Sequence, residues 1–232
     1  MVVMKRDARI AGLFYLLLAI VGPIRLMIIP NILFSSDPVA TANNIASNEL
    51  LFRFGIVSDL LVGVFGLITA LALYRLFRNV SRLYAVLMVA FGGPIVTAIY
   101  FVNTLNDAAA LMLAQGGTSL AGFTQDQRIN LVTFFLNLHS YGQYVNEIFW
   151  GLWLLPMGIL VYRSGFIPRG IGVYLLINGI AYLAASLTAL LTPQYLGLVT
   201  SIIFPALLAE VVMVAWLLVK GVRAPAAVQV PP

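Results

Sequence analysis

The chain contains no cysteine, which excludes disulfides, thiolate nucleophiles and Cys-ligated metals. It has a single histidine, His139, so neither an HExxH motif nor a paired-His spacing exists, and no metal is expected from sequence. Charge is scarce: 9% of residues are Asp, Glu, Lys or Arg, against about 25% in a soluble domain. There is no Ser-His-Asp order, no phosphate-binding loop and no dinucleotide fingerprint, and the glycines fall within apolar runs. The basic residues sit at the ends of those runs and form no patch. The net charge of +5 therefore does not point to nucleic acid, and no cofactor is implied.

What the chain has instead is apolar surface. Hydrophobic residues make up 62% of its 232 positions, in runs that recur along the whole length. That pattern has a stable solution only in a bilayer, as an all-α, polytopic integral membrane protein. Six spans are expected at about 10–33, 52–75, 83–106, 131–162, 169–191 and 197–219, each near the roughly 20 residues a bilayer requires. They form one six-helix domain over 1–223. A Pro- and Ala-rich tail at 224–232 is expected to be disordered.

Orientation is written in the basic residues. Of thirteen Lys and Arg residues, Arg53 and Arg128 fall on one side and Arg25 lies within the first span. All the others, Lys5, Arg6, Arg9, Arg75, Arg78, Arg82, Arg163, Arg169, Lys220 and Arg223, fall on the opposite side. The positive-inside rule then places both termini in the cytoplasm of a prokaryotic cell, with the protein in its cytoplasmic membrane. Ala40-Thr41-Ala42 resembles a signal cleavage site, but the preceding segment is too long and carries Gly22, Pro23 and Arg25, so it is read as a retained span.

The loops carry helix signals. Asp37 is placed to cap a short outer helix with Pro38 at its first position. Gly116-Gly117 ends an apolar helical tail, and Thr124-x-x-Gln127 reads as a capping box opening the fourth long helix. Nothing then stops that helix before Tyr162, which gives about 57 Å of helix for a core of roughly 30 Å. Its outer end must project or tilt. Gly92-Gly93-Pro94 marks a kink in the third span.

Five segments together resemble a family of uncharacterised prokaryotic membrane proteins, domain of unknown function 4386. They are RIAGLFYLLLAI, LFRFGIVSDLLV, ALYRLFRNVSRLYAVL, LLPMGILVYRSGFIPRGIGVYLL and PALLAEVVMVAWLLVKG. The resemblance implies a six-helix bundle and places Asp59, Arg163, Pro168, Glu210 and Lys220 at motif positions. It implies no activity.

Ionisable residues inside spans mark candidate sites, because each is expensive there. His139, Gln143, Asn146, Glu147 and Trp150 share one face of the fourth span. Arg25, Asp59 and Glu147 each lie sixteen residues from a basic anchor (Arg9, Arg75 and Arg163), hence about 24 Å above the inner boundary. Arg25 is therefore expected to pair with Asp59, Glu147 or both. Two readings follow for this level. It is a structural staple between helices, or an outward-facing polar cavity lined by Arg25, Asp59, Tyr100, Asn103, His139, Gln143, Asn146 and Glu147. His139 itself counts to about 36 Å, beyond the hydrocarbon, where it would bond a loop. Glu210 lies about 15 Å above Lys220, level with Asn178 on the fifth span, and is expected to bond it as the protonated acid.

Three functions remain open at this point: binding or transport of a small polar or amphiphilic molecule, a non-catalytic scaffold, or an intramembrane enzyme using Glu147 or Asp59 as acid or base. The first is the leading expectation, with the lipid bilayer and a small-molecule ligand as partners.

Overall fold

The computed structural model describes residues 2–222, with side chains from residue 5. The expected tail at 224–232 lies outside the described residues. Among the described residues there are helices and no strands. Helix α1 (Val2–Pro23) passes through a π-helical turn (Ile24–Ile28) into α2 (Ile29–Leu33), which together form the first span. After α3 (Pro38–Ser47) comes the second span, α4 (Glu49–Phe77). The third is α5 (Arg82–Ala90), a π-turn (Phe91–Ile95) and α6 (Val96–Gln115). The fourth is α7 (Gln125–Ser164), the fifth α8 (Arg169–Leu191) and the sixth α9 (Leu196–Val219). Among the described residues, six helices are thus long and apolar enough to cross a membrane.

Local chemistry explains the boundaries. The Asp37 carboxylate accepts the Val39 amide at 3.0 Å, and α3 starts at Pro38 as its sequence requires. The Thr124–Gln127 capping box closes in both directions. Both π-turns accompany a proline: Pro23 precedes one and Pro94 lies within the other. A proline lacks the amide hydrogen and crowds the preceding turn, and a widened turn accommodates both effects. The third span extends well past its expected end at 106, because α6 runs unbroken to Gln115 before Gly116 and Gly117.

The two ends of the bundle differ. At one end Phe77 stacks on Phe166 with centroids 5.8 Å apart, and the Arg163 guanidinium lies 5.3 Å over the Tyr84 ring. Ala8 and Val222 join the same buried cluster, so both ends of the described chain and both basic loops gather here. A second cluster at the other end packs α3 beneath Ile29, Phe52, Leu111 and Val132. Helices α7 and α8 approach backbone to backbone: a Cβ on Gly158 would lie 2.8 Å from the Gly172 carbonyl oxygen. Large apolar side chains such as Phe54, Val102, Leu105, Ile202 and Val219 remain exposed, as a hydrocarbon solvent demands.

Candidate functional site

Two polar centres occupy the interior. The first lies toward the α3 end. Arg25, in the first π-turn, donates from Nε and Nη2 to the two oxygens of Asp107, each at 2.6 Å. The partner expected from sequence, Asp59 or Glu147, is therefore corrected: the carboxylate that meets Arg25 belongs to Asp107 on α6. Depth counted along each helix assumes a common tilt and a common starting height. Asp107 lies 25 residues beyond Arg82, about 37 Å of helix, yet it reaches Arg25 at a nominal 24 Å. The third and fourth spans carry more chain per unit depth than the first and second, so equal counts did not mean equal levels.

His139 is corrected for the same reason. It sits inside the bundle rather than against a loop and is 2% exposed. Its Nε2 lies 3.5 Å from Asp59 Oδ2, and its Nδ1 lies 3.3 Å from Asp107 Oδ1. The Gln143 amide nitrogen reaches Asp59 Oδ2 at 3.4 Å and His139 Nε2 at 3.3 Å. Asn103 fixes the backbone here by donating to the His139 carbonyl at 2.9 Å. Helix α7 admits Asn103 because residue 142 is glycine: a Cβ there would come within 2.3 Å of Asn103 Oδ1. The Arg25 guanidinium also faces the rings of Phe34 and Phe52, at 5.4 and 5.8 Å. Arg25, Asp59, Asp107, His139 and Gln143 are all buried, so this centre is closed.

The second centre surrounds Glu210 on α9. Asn178 donates to its Oε1 at 3.3 Å, the contact expected from sequence. Tyr15 donates to Oε2, and the Tyr182 phenol adjoins the same carboxylate. A cavity of about 250 Å³ opens beside it. Its polar lining is Glu210 with Tyr15, Tyr100, Tyr182, Trp150 and Trp153, and aliphatic residues and glycines supply the rest. The aromatics form a continuous set. Tyr15 meets Trp153 edge-on at 5.6 Å, Tyr182 meets Trp150 edge-on at 5.5 Å, and Tyr100 stacks on Trp150 at 6.3 Å. Ala19, Leu26 and Val211 line the cavity and are also exposed on the outer faces of the first and sixth spans. The cavity therefore opens sideways, between α1 and α9.

Of the residues expected to line one outward cavity, only Tyr100 lines this one. Asn146 and Glu147 lie on α7 between the centres. Both amide atoms of Asn146 and Oε2 of Glu147 are buried without a hydrogen-bond partner among the described residues. Asp107, Tyr15 and Tyr182 escaped the sequence reading. Asp107 was visible as the continuation of the Tyr100–Asn103 face, at i+7 and i+4.

A family model described as Domain of unknown function (DUF4386) matches residues 10–221. The chain belongs to this family. A curated relative from Archaeoglobus fulgidus, described as an uncharacterized protein, is 27% identical over 168 residues, covering 72% of this chain and 84% of its own. No solved structure matches the chain. The DUF4386 chain is thus a multi-pass membrane protein of unassigned function.

Proposed function

We propose that this DUF4386 protein binds an amphiphilic organic cation at the Glu210 centre, loading it sideways from the bilayer. The carrying observation is one carboxylate set among five aromatic side chains in a cavity of about 250 Å³. Aromatic faces attract cations, most of all quaternary ammonium groups that no hydrogen bond can satisfy, and a carboxylate neutralises the charge. An anionic headgroup meets no cationic side chain there. The volume falls below the roughly 300–1,000 Å³ of drug-sized sites. It suits a headgroup whose tail leaves through the mouth between α1 and α9. The closed Arg25–Asp107 centre fits a structural role better, and there the scaffold reading keeps its force. The membrane we assign is the cytoplasmic membrane of a prokaryote, with both termini inside. Support for this is the asymmetry of Lys and Arg between the two sides.

Trp150 and Trp153 make the test direct. Protein in zwitterionic nanodiscs is titrated with dodecyltrimethylammonium and, separately, with dodecanol and dodecyl sulfate, and tryptophan emission is followed. Saturable change with the cation alone, lost in Glu210→Gln, supports the reading. Equal response to the neutral and anionic chains, or full retention in Glu210→Gln, removes it.

A further inference from the structure

Three polar atoms in the closed centre stand in an arrangement whose contacts are all long for hydrogen bonds. His139 Nε2, Asp59 Oδ2 and the Gln143 amide head form a triangle with sides of 3.5, 3.4 and 3.3 Å. All three sides exceed the usual range for hydrogen bonds, about 2.7–3.2 Å. They match the edge of a tetrahedron whose centre lies about 2.0–2.1 Å from each vertex, an edge of roughly 3.3–3.4 Å. We propose that His139, Asp59 and Gln143 form a divalent-metal site of the zinc class, with Asp107 and Arg25 as its supporting pair.

The unsatisfied atoms support this. Gln143 Oε1 is buried without a hydrogen-bond partner. The two ends of an amide are interchanged by a half-turn of the side chain, which brings that oxygen to the vertex. His139 Nδ1 is likewise buried without an aligned partner, yet it lies 3.3 Å from Asp107 Oδ1. A metal-ligating imidazole commonly donates its second N–H to a carboxylate, which fixes the ring and raises its basicity. Asp107 takes that place, held from behind by two bonds from Arg25. Single donor atoms of Asp59, Asp107 and His139 all lie within 4.8 Å of one another, so ligands and support converge on one point.

Charge counting agrees. Arg25 and Asp107 cancel, and Asp59 offsets one charge of the metal. Glu147 follows Gln143 by one helical turn on the same face, with its Oε2 buried and unpartnered among the described residues. With no cysteine in the chain, the donors are nitrogen and oxygen only, which disfavours metals that depend on thiolate, such as Cu(I), and suits borderline divalent ions that imidazole and carboxylate hold, Zn2+ among them. The sequence argument against a metal rested on the single histidine and the missing HExxH or paired-His spacing, and ligands drawn from two different helices need neither.

The probe is Co2+, whose visible bands report tetrahedral coordination. The protein, freed of any histidine tag and stripped with chelator, is titrated in nanodiscs, and bound metal is counted by mass spectrometry. One Co2+ per chain with tetrahedral bands is expected, displaced by Zn2+. His139→Ala and Gln143→Leu should abolish the bands, whereas Gln143→Glu, which keeps an oxygen donor, should retain them. Asp107→Asn should weaken binding by about 10–100-fold while leaving the stoichiometry unchanged. The absence of tetrahedral bands in the wild-type protein overturns the proposal, as does their survival in both His139→Ala and Asp59→Asn. None of these readouts depends on Glu210.

Discussion

Arg25 and Asp107 meet fork to fork across the first and third spans, with two hydrogen bonds of 2.6 Å and almost no exposure on either side chain. Breaking a buried pair strands a charge, which costs about 3–5 kcal/mol, whereas replacing both partners with apolar residues is often neutral. Arg25→Met alone should therefore lower thermal stability in detergent sharply. Arg25→Met with Asp107→Leu should recover most of the loss. A double variant as unstable as the sum of the singles would mean that the two residues act independently.

Gly142 tests how tightly the closed centre is assembled. A methyl group there would press into Asn103, which holds the His139 carbonyl. Gly142→Ala should cost about 1–3 kcal/mol by overpacking. Paired with Asn103→Ala, which removes the obstructing amide, it should cost less than the sum of the two single changes. Thermal unfolding of the four proteins measures this, and strict additivity would contradict the contact.

Glu210 can hold a proton or face an organic cation, and either occupant neutralises it. Cation binding should therefore weaken as pH falls, approaching about tenfold per pH unit once protons win the competition. Uptake in weak buffer should release protons on that limb. Affinity that stays constant across acidic and neutral pH would argue against Glu210 as the counter-charge. Glu210→Gln, which preserves the hydrogen-bonding shape, should fold normally and lose the pH dependence along with the affinity.

Orientation can be read chemically, because the chain offers no native thiol. Arg78→Cys, in the loop between the second and third spans, should resist a membrane-impermeant maleimide in intact cells and react after permeabilisation. Labelling from outside would invert the assigned topology.

Features governed by neighbouring residues were legible in the sequence. The six spans, the Asp37 cap, the Thr124 box and the stop at Gly116 depend on composition and local hydrogen bonding, and each is present, with the third span longer than expected. The contact between Glu210 and Asn178 was also legible, because their helices are adjacent in sequence and share an anchored inner end. Arg25 and His139 were misplaced because their partners depend on tilt, on helix rotation and on two π-turns, none of which residue counting registers. Asp107 was passed over because it seemed to end a span, whereas α6 carries it inside. Tyr15 and Tyr182 read as ordinary span aromatics until the bundle closed around Glu210.

On the proposed cation-binding function, the sideways mouth at Ala19, Leu26 and Val211 changes what dose means. A molecule entering there is counted as a mole fraction among lipids, and its aqueous concentration matters only through partitioning. Two ligands with equal fit but different tail lengths would rank by oiliness in any assay run against total added compound. Diluting the sample with buffer would then leave occupancy almost unchanged, while diluting it with empty vesicles would strip the cavity.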